Sequence, residues 1–183
     1  MVLADASILF SRTLRDYFLY AADEGIIEIH WSQQILDEMS RNLQKRLGLM
    51  KAATDRLEIL MNEFLEHALI DTNTEDVALV SQVPMNKDDR HVLAAALSVE
   101  ADIVLTDNTR HFPRDWMTAH GIQLMTSRKL LVDLAEHYPD SVRDVHDKVM
   151  LYSRNSEEEV LNTLESIIGS TAVEMIRSVI ASA

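Results

Sequence analysis

The 183-residue sequence predicts an α/β/α sandwich built on a parallel sheet of four or five strands, followed by a helical C-terminal extension. Three observations carry that expectation. Short apolar runs end in acids, Val2-Leu3-Ala4 before Asp5 and the stretch 102–106 (DIVLT) before Asp107. Segments with a helical apolar period lie between such runs. Strand and helix patterns alternate, which favours a parallel sheet with helices packed on it.

Along the chain, Val2 to Ala4 suits a buried parallel strand. A helix is expected over Leu14 to Asp23, with Gly25 as its terminator. Ile26, Ile27 and Ile29 suggest a short β segment. Ser32 is placed to cap a helix whose apolar stripe is Ile35, Leu36, Met39, Leu43 and Leu47. A further helical pattern joins Leu57, Leu60, Met61, Phe64 and Leu65, and residues 71–88 read as polar and mixed. The Ala-rich stretch 90–100 predicts a buried helix, and 102–106 and 122–126 predict core strands. The C-terminal third is helical in pattern. Ser156 to Glu159 forms a capping-box sequence ahead of Val160, Leu161, Leu164, Ile167 and Ile168. A last amphipathic helix carries Val173, Met175, Ile176, Val179 and Ile180. No composition break separates these helices, so residues 1–126 are expected to form the functional core, with 127–183 packed on it as part of one domain.

Composition removes several function classes. No apolar run approaches the ~20 residues of a membrane span. The opening MVLADASILF has an acid at position 5 and no basic stretch, unlike a signal peptide. With no Cys there is no disulfide and no thiolate zinc site, which makes a cytoplasmic setting the default expectation. The four glycines are widely separated, so neither a dinucleotide fingerprint nor a P-loop is present. A net charge of −13 argues against nucleic acid as partner. The segment 41–56 runs the other way, with Arg41, Lys45, Arg46, Lys51 and Arg56 against the single acid Asp55.

The acids point to chemistry through their joint placement. In an open α/β sheet, functional groups gather beyond the carboxyl ends of the strands. Asp5 and Asp107 end strands there, Asp89 precedes the helix feeding the second of them, and Glu38 borders the buried stripe of its helix. Four converging carboxylates repel unless a cation lies among them. Oxygen-only ligation suits Mg²⁺ or Mn²⁺, and the associated chemistry is phosphodiester hydrolysis. Simpler readings stand beside this one. Asp89 could cap its helix, Glu38 could be a solvated helix residue, and Asp107 could open a turn. Asp5 is harder to dismiss, because an acid closing a buried strand is costly unless it is paired or metal-bound.

Several motifs resemble one family. Asp5-Ala6-Ser7 follows the first strand; Leu14-Arg15-Asp16, Trp31-Ser32, Ile35-Leu36-Asp37-Glu38 and Arg41-Asn42-Leu43 come next in order. The block 88–96 (DDRHVLAAA) and the segment 106–113 (TDNTRHFP) complete the series. In this the chain is similar to PIN-domain ribonucleases, including the VapC toxins of bacterial toxin–antitoxin pairs, over residues 2–126. The resemblance implies a PIN-like sandwich with Asp5, Glu38 and Asp89 as metal ligands. It also implies an RNA substrate, an antitoxin protein and a homodimer. At the fourth acidic position the chain departs from its relatives, having Asn108 or His111 where an acid is usual, so Asp107 is expected to substitute, with Ser7, Thr106 and Asn108 supporting the cluster. Arg41, Lys45, Arg90 and Arg110 are candidate RNA contacts, with a solvated basic surface as the alternative for the first two and charge balance for the others. Two rivals remain at this level: a non-catalytic PIN-like binding module, and a receiver-like Mg²⁺-binding signalling domain, for which the chain is long.

Overall fold

The computed structural model describes residues 1–182. They form five parallel strands: β1 (Val2–Ala4), β2 (Ile29–Ser32), β3 (Leu69–Ile70), β4 (Ile103–Leu105) and β5 (Gln123–Met125). The strand order is β3-β2-β1-β4-β5. The chain moves outward from β1 to β3, then returns to the other side of β1 for β4 and β5. Strand order therefore reverses between β1 and β4, and the crevice at their carboxyl ends is where ligands bind in sheets of this kind.

The chain separates into two compact units, Met1–Phe10 with Glu28–Met125, and Ser11–Ile27 with Thr126–Ala183. The first unit holds the sheet together with α1 (Ala6–Phe10), α3 (Gln33–Leu47), α4 (Lys51–Phe64), α5 (Thr74–Ser81), α6 (Arg90–Ser98) and α7 (Arg114–Ala119). In it α6 packs on β1, β2 and β4, and α3 packs on α1, α4 and β2. The paired register Ala4↔Leu105 sets the ends of β1 and β4 side by side. The buried core includes Leu3, Ile8, Trp31, Ile35, Leu36, Leu93, Val104 and Leu105. Burying such a side chain contributes roughly 1.5–3 kcal/mol.

Local rules explain most element boundaries. Ser32 caps α3 by accepting from the Ile35 N–H, and Gly48 closes that helix in a left-handed conformation at φ 67°. Gly48 is needed there, because a side chain at that φ is strained.

The second unit contains α2 (Arg12–Asp23), α8 (Ser127–His137), α9 (Pro139–Tyr152), α10 (Glu157–Ile168) and α11 (Ser170–Ala181). Helix α2 belongs here because its buried face, Leu14, Tyr17 and Phe18, packs against α9 and α10. The expected capping box is formed at Ser156 and Glu159.

Some expectations are corrected. Ile26 and Ile27 lie outside β2, which begins at Ile29; Gly25 at φ 74° turns the chain just before them. Residues 71–88 contain α5, and the two-residue β3 precedes it. Only Val80 of α5 is buried, so that helix has no apolar stripe to reveal it. Leu47, Leu60 and Phe64 are exposed rather than core.

Candidate metal centre

Asp5 is built from the end of β1. Its N–H donates to the Leu105 carbonyl at 3.0 Å, which continues the β1–β4 ladder by one residue. The side chain then enters the crevice and is only 5% exposed. Its Oδ1 accepts from the Ala6 N–H at 2.7 Å. Its Oδ2 accepts from the hydroxyls of Ser7 at 2.8 Å and Thr106 at 2.6 Å. A second ring of bonds holds those donors, with the Asp107 N–H reaching Ser7 Oγ at 3.4 Å and the Asn108 N–H reaching Thr106 Oγ1 at 3.1 Å. Of the residues expected to support the cluster, Ser7 and Thr106 bond to Asp5 directly, and Asn108 bonds to Thr106.

Burial pushes the Asp5 carboxyl above its ordinary range; the Thr106 and Ser7 hydrogen bonds pull it back, and the negative charge of Glu38 pushes it up again. No salt bridge to Asp5 occurs among the described residues. This carboxylate is therefore buried, hydrogen-bonded and short of positive charge.

Glu38 comes from α3, one turn before Arg41. His91 on α6 places Nε2 3.3 Å from Glu38 Oε2, while its Nδ1 meets the Asp88 carbonyl at 2.8 Å. The His91 contact lowers the Glu38 carboxyl despite partial burial, with Arg41 helping at longer range. Burial of the His91 ring opposes its charge, but Glu38 and the Asp88 carbonyl outweigh that and raise it. Asp37, Glu38, Arg41, Asp88, Asp89 and His91 line an open cleft of ≈ 450 Å³.

Asp89 stands at the N-cap position of α6, yet its side chain makes no capping bond. Its Oδ2 instead lies 2.9 Å from Nδ1 of His111. The simple cap reading of Asp89 therefore fails on geometry. Asp107 is exposed, and on its segment it is His111 that reaches Asp89.

The basic candidates divide. Arg41 lines the cleft, and Lys45 and Arg110 are exposed. Arg90 donates through Nη2 to the Val83 carbonyl at 3.1 Å, so its guanidinium ties α6 to the preceding loop. Two carboxylate–histidine contacts, Glu38–His91 and Asp89–His111, were not expected from the sequence. Their signal was present only as histidines beside motif acids.

Among the described residues, no three His, Asp or Glu side chains stand close enough to close a metal shell by themselves. The fit to a divalent cation rests on donor chemistry. Asp5 is a buried carboxylate with no salt bridge among the described residues, Glu38 raises it further, and oxygen donors of this kind suit hard cations.

A family profile described as a PIN domain matches residues 2–110, and the chain belongs to the PIN-domain family. A Mycobacterium tuberculosis (strain ATCC 25618 / H37Rv) protein provisionally named ribonuclease VapC50 is 31% identical over 67 residues. That match covers 37% of this chain and 40% of the relative, so less than half of the curated protein's length is represented. No solved structure matches the chain.

Proposed function

We propose that the protein is a divalent-metal-dependent endoribonuclease, using Mg²⁺ or Mn²⁺, and the toxin of a toxin–antitoxin pair. The observation that carries this reading is the Asp5 carboxylate, buried at the β1–β4 switch point and held by Ser7 and Thr106, with no salt bridge to it among the described residues. Family membership supports nuclease chemistry, and the relative's name supports RNA as the substrate.

Asp5, Glu38 and Asp89 would hold the metal, with Asp107 as a further acid at the same edge. When bound, a divalent ion lowers the pKa of water and offsets charge on a phosphodiester. The protein's own residues prepare that site. Ser7 and Thr106 fix the rotation of Asp5, so its free lone pairs keep one direction. His91 on α6 stands beside Glu38 and favours its charged form. Arg41, beside Glu38 on the cleft wall, offers a guanidinium to a phosphate oxygen, and Lys45 extends the basic path one turn along α3. Arg110 is exposed near Asn108 and His111 and can meet the strand on the other side. An antitoxin protein would cover this cleft, and a cytoplasmic homodimer is the assembly we assign. No helix of the described residues is long and apolar enough to cross a membrane.

One observation favours a second reading, a PIN-like binding module without cleavage. His111 contacts Asp89 where an acid would strengthen cation binding. Purified protein incubated with structured RNAs, with Mn²⁺ or with EDTA, separates the two. Cleavage by wild type that disappears in EDTA and in Asp5→Asn and Asp89→Asn supports the enzyme. Cleavage that persists in both variants refutes the mechanism, and RNA binding without cleavage supports the module.

A further inference from the structure

Two neighbouring glutamines open α3, and they differ in what they touch. The Gln33 amide donates through Nε2 to Asp37 at 2.9 Å and to Glu58 at 3.0 Å, so it serves the contact between α3 and α4. Gln34 is exposed, lines the cleft, and makes no side-chain hydrogen bond among the described residues. The other residues of that lining are four acids, an arginine and a histidine. The histidine, His91, has one ring nitrogen at the Asp88 carbonyl and the other beside Glu38. Gln34 therefore brings to the cleft an uncharged group with a donor and an acceptor, both unspent.

Its place on the helix fits that group to a nucleotide. Gln34 stands one turn before Glu38 and two turns before Arg41, and all three line the cleft from one face of α3. A guanidinium able to hold a phosphate and an amide able to hold a base edge are thus about 10 Å apart along the helix. A phosphate contact fixes position without reading sequence, whereas a contact to a base edge reads it. The chemistry of the amide narrows the choice of base. Glutamine pairs in bidentate fashion with adenine, its oxygen accepting from the exocyclic amino group and its nitrogen donating to a ring nitrogen. The neighbours act in the same direction. Asp37 and Asp88 add acceptor oxygens to the lining, which suit an amino group and leave the carbonyl edges of uracil and guanine unpaired.

We propose that Gln34 reads an adenine of the RNA beside the scissile phosphate, so that one amide sets the sequence preference of the cleft while Arg41 holds the backbone. The inference rests on RNA entering this cleft, as the proposed function has it, and names what the cleft selects. In single-stranded RNA an unstacked base presents its hydrogen-bonding edges to such a side chain.

The test reads which sequences are cut and bound. Randomised single-stranded RNA is digested with Mn²⁺ by wild type, Gln34→Ala and Gln34→Arg, and the new ends are sequenced. Wild type should show adenine enriched about tenfold at one fixed position from the cut, as a good bidentate contact allows. Gln34→Ala should lose that enrichment. Gln34→Arg should move it to guanine, whose O6 and N7 suit a guanidinium fork. Binding of labelled oligoadenylate and oligouridylate in EDTA gives a readout separate from cleavage. The preference of wild type for oligoadenylate should shrink about tenfold in Gln34→Ala. The exposed position permits both substitutions without loss of fold, which circular dichroism checks. A profile unchanged in Gln34→Ala, an even loss of cutting at all sites, another base enriched in wild type, or no gain of guanine in Gln34→Arg overturns the inference and leaves the nuclease reading intact. RNA bound but not cut by wild type overturns the nuclease reading, and the binding ratio then decides the inference. RNA neither cut nor bound overturns both.

Discussion

Replacing Asp5 by Asn should make the metal-free protein more stable and abolish its activity. The carboxyl is 5% exposed, and its titration point is raised chiefly by burial. Because burial raises that point, the charged form is worse off in the fold than in water. A neutral isostere removes that cost. Asn keeps an oxygen for the Ala6 N–H, and its amide can donate to Ser7 or Thr106 Oγ, so the hydrogen bonds rearrange without vanishing. We expect the variant to unfold at a higher Tm than wild type when metal is removed. Divalent metal should stabilise the two proteins unequally and reverse their order. At a concentration near 100 times Kd it adds about 2.7 kcal/mol to wild type, roughly 5–11 °C, and far less to the variant. Thermal unfolding with EDTA and with Mn²⁺ measures both. An Asp5→Asn protein that is less stable in EDTA, or that gains as much from Mn²⁺ as wild type, would refute the reasoning.

Thr106→Val removes a buried hydroxyl that donates to Asp5 at 2.6 Å. A hydrogen bond to a charged group contributes roughly 1.5–3 kcal/mol, so kcat should fall about 10- to 100-fold with a smaller change in KM, as steady-state cleavage would show. In the second unit, the Tyr17 hydroxyl and His146 Nδ1 lie 2.6 Å apart, and burial pushes His146 below its ordinary 6.5. The unfolded chain then takes up a proton that the folded one resists, so stability present above pH 6.5 declines as pH falls below it. Urea melts across pH 5 to 8 should show that slope, and His146→Gln should flatten it. Trp31 is fully buried on β2 and donates through Nε1 to Asn62 Oδ1 at 2.8 Å. Trp31→Phe should cost about 1–3 kcal/mol in urea unfolding, from lost packing and an Asn62 left unpaired.

The legible parts of the fold were those where local pattern and burial agree. Val2 to Ala4 is apolar on both faces of a central strand, and 90–98 is small and apolar on a helix that packs against three strands. Leu69–Ile70 is too short to show a period, and α5 buries only Val80, so neither stood out. Leu60 and Phe64 mimic a core stripe although α4 buries only Thr54 and Met61. Within the site, Asp5 was legible because an acid closing a buried strand is costly wherever it occurs. The contact between Asp89 and His111 spans 22 positions and depends on how a 3-10 turn aims one ring. No periodicity or spacing encodes that.

As proposed, Asp5, Glu38 and Asp89 together hold the divalent ion used in RNA cleavage. Anomalous diffraction from Mn²⁺-soaked crystals tests it most directly. A manganese peak is expected in the crevice beyond β1 and β4, within about 2.0–2.4 Å of Asp5 and Asp89 oxygens, with Glu38 reaching it directly or through water. A fully occupied peak elsewhere, with these three carboxylates still in their present hydrogen bonds, would contradict it.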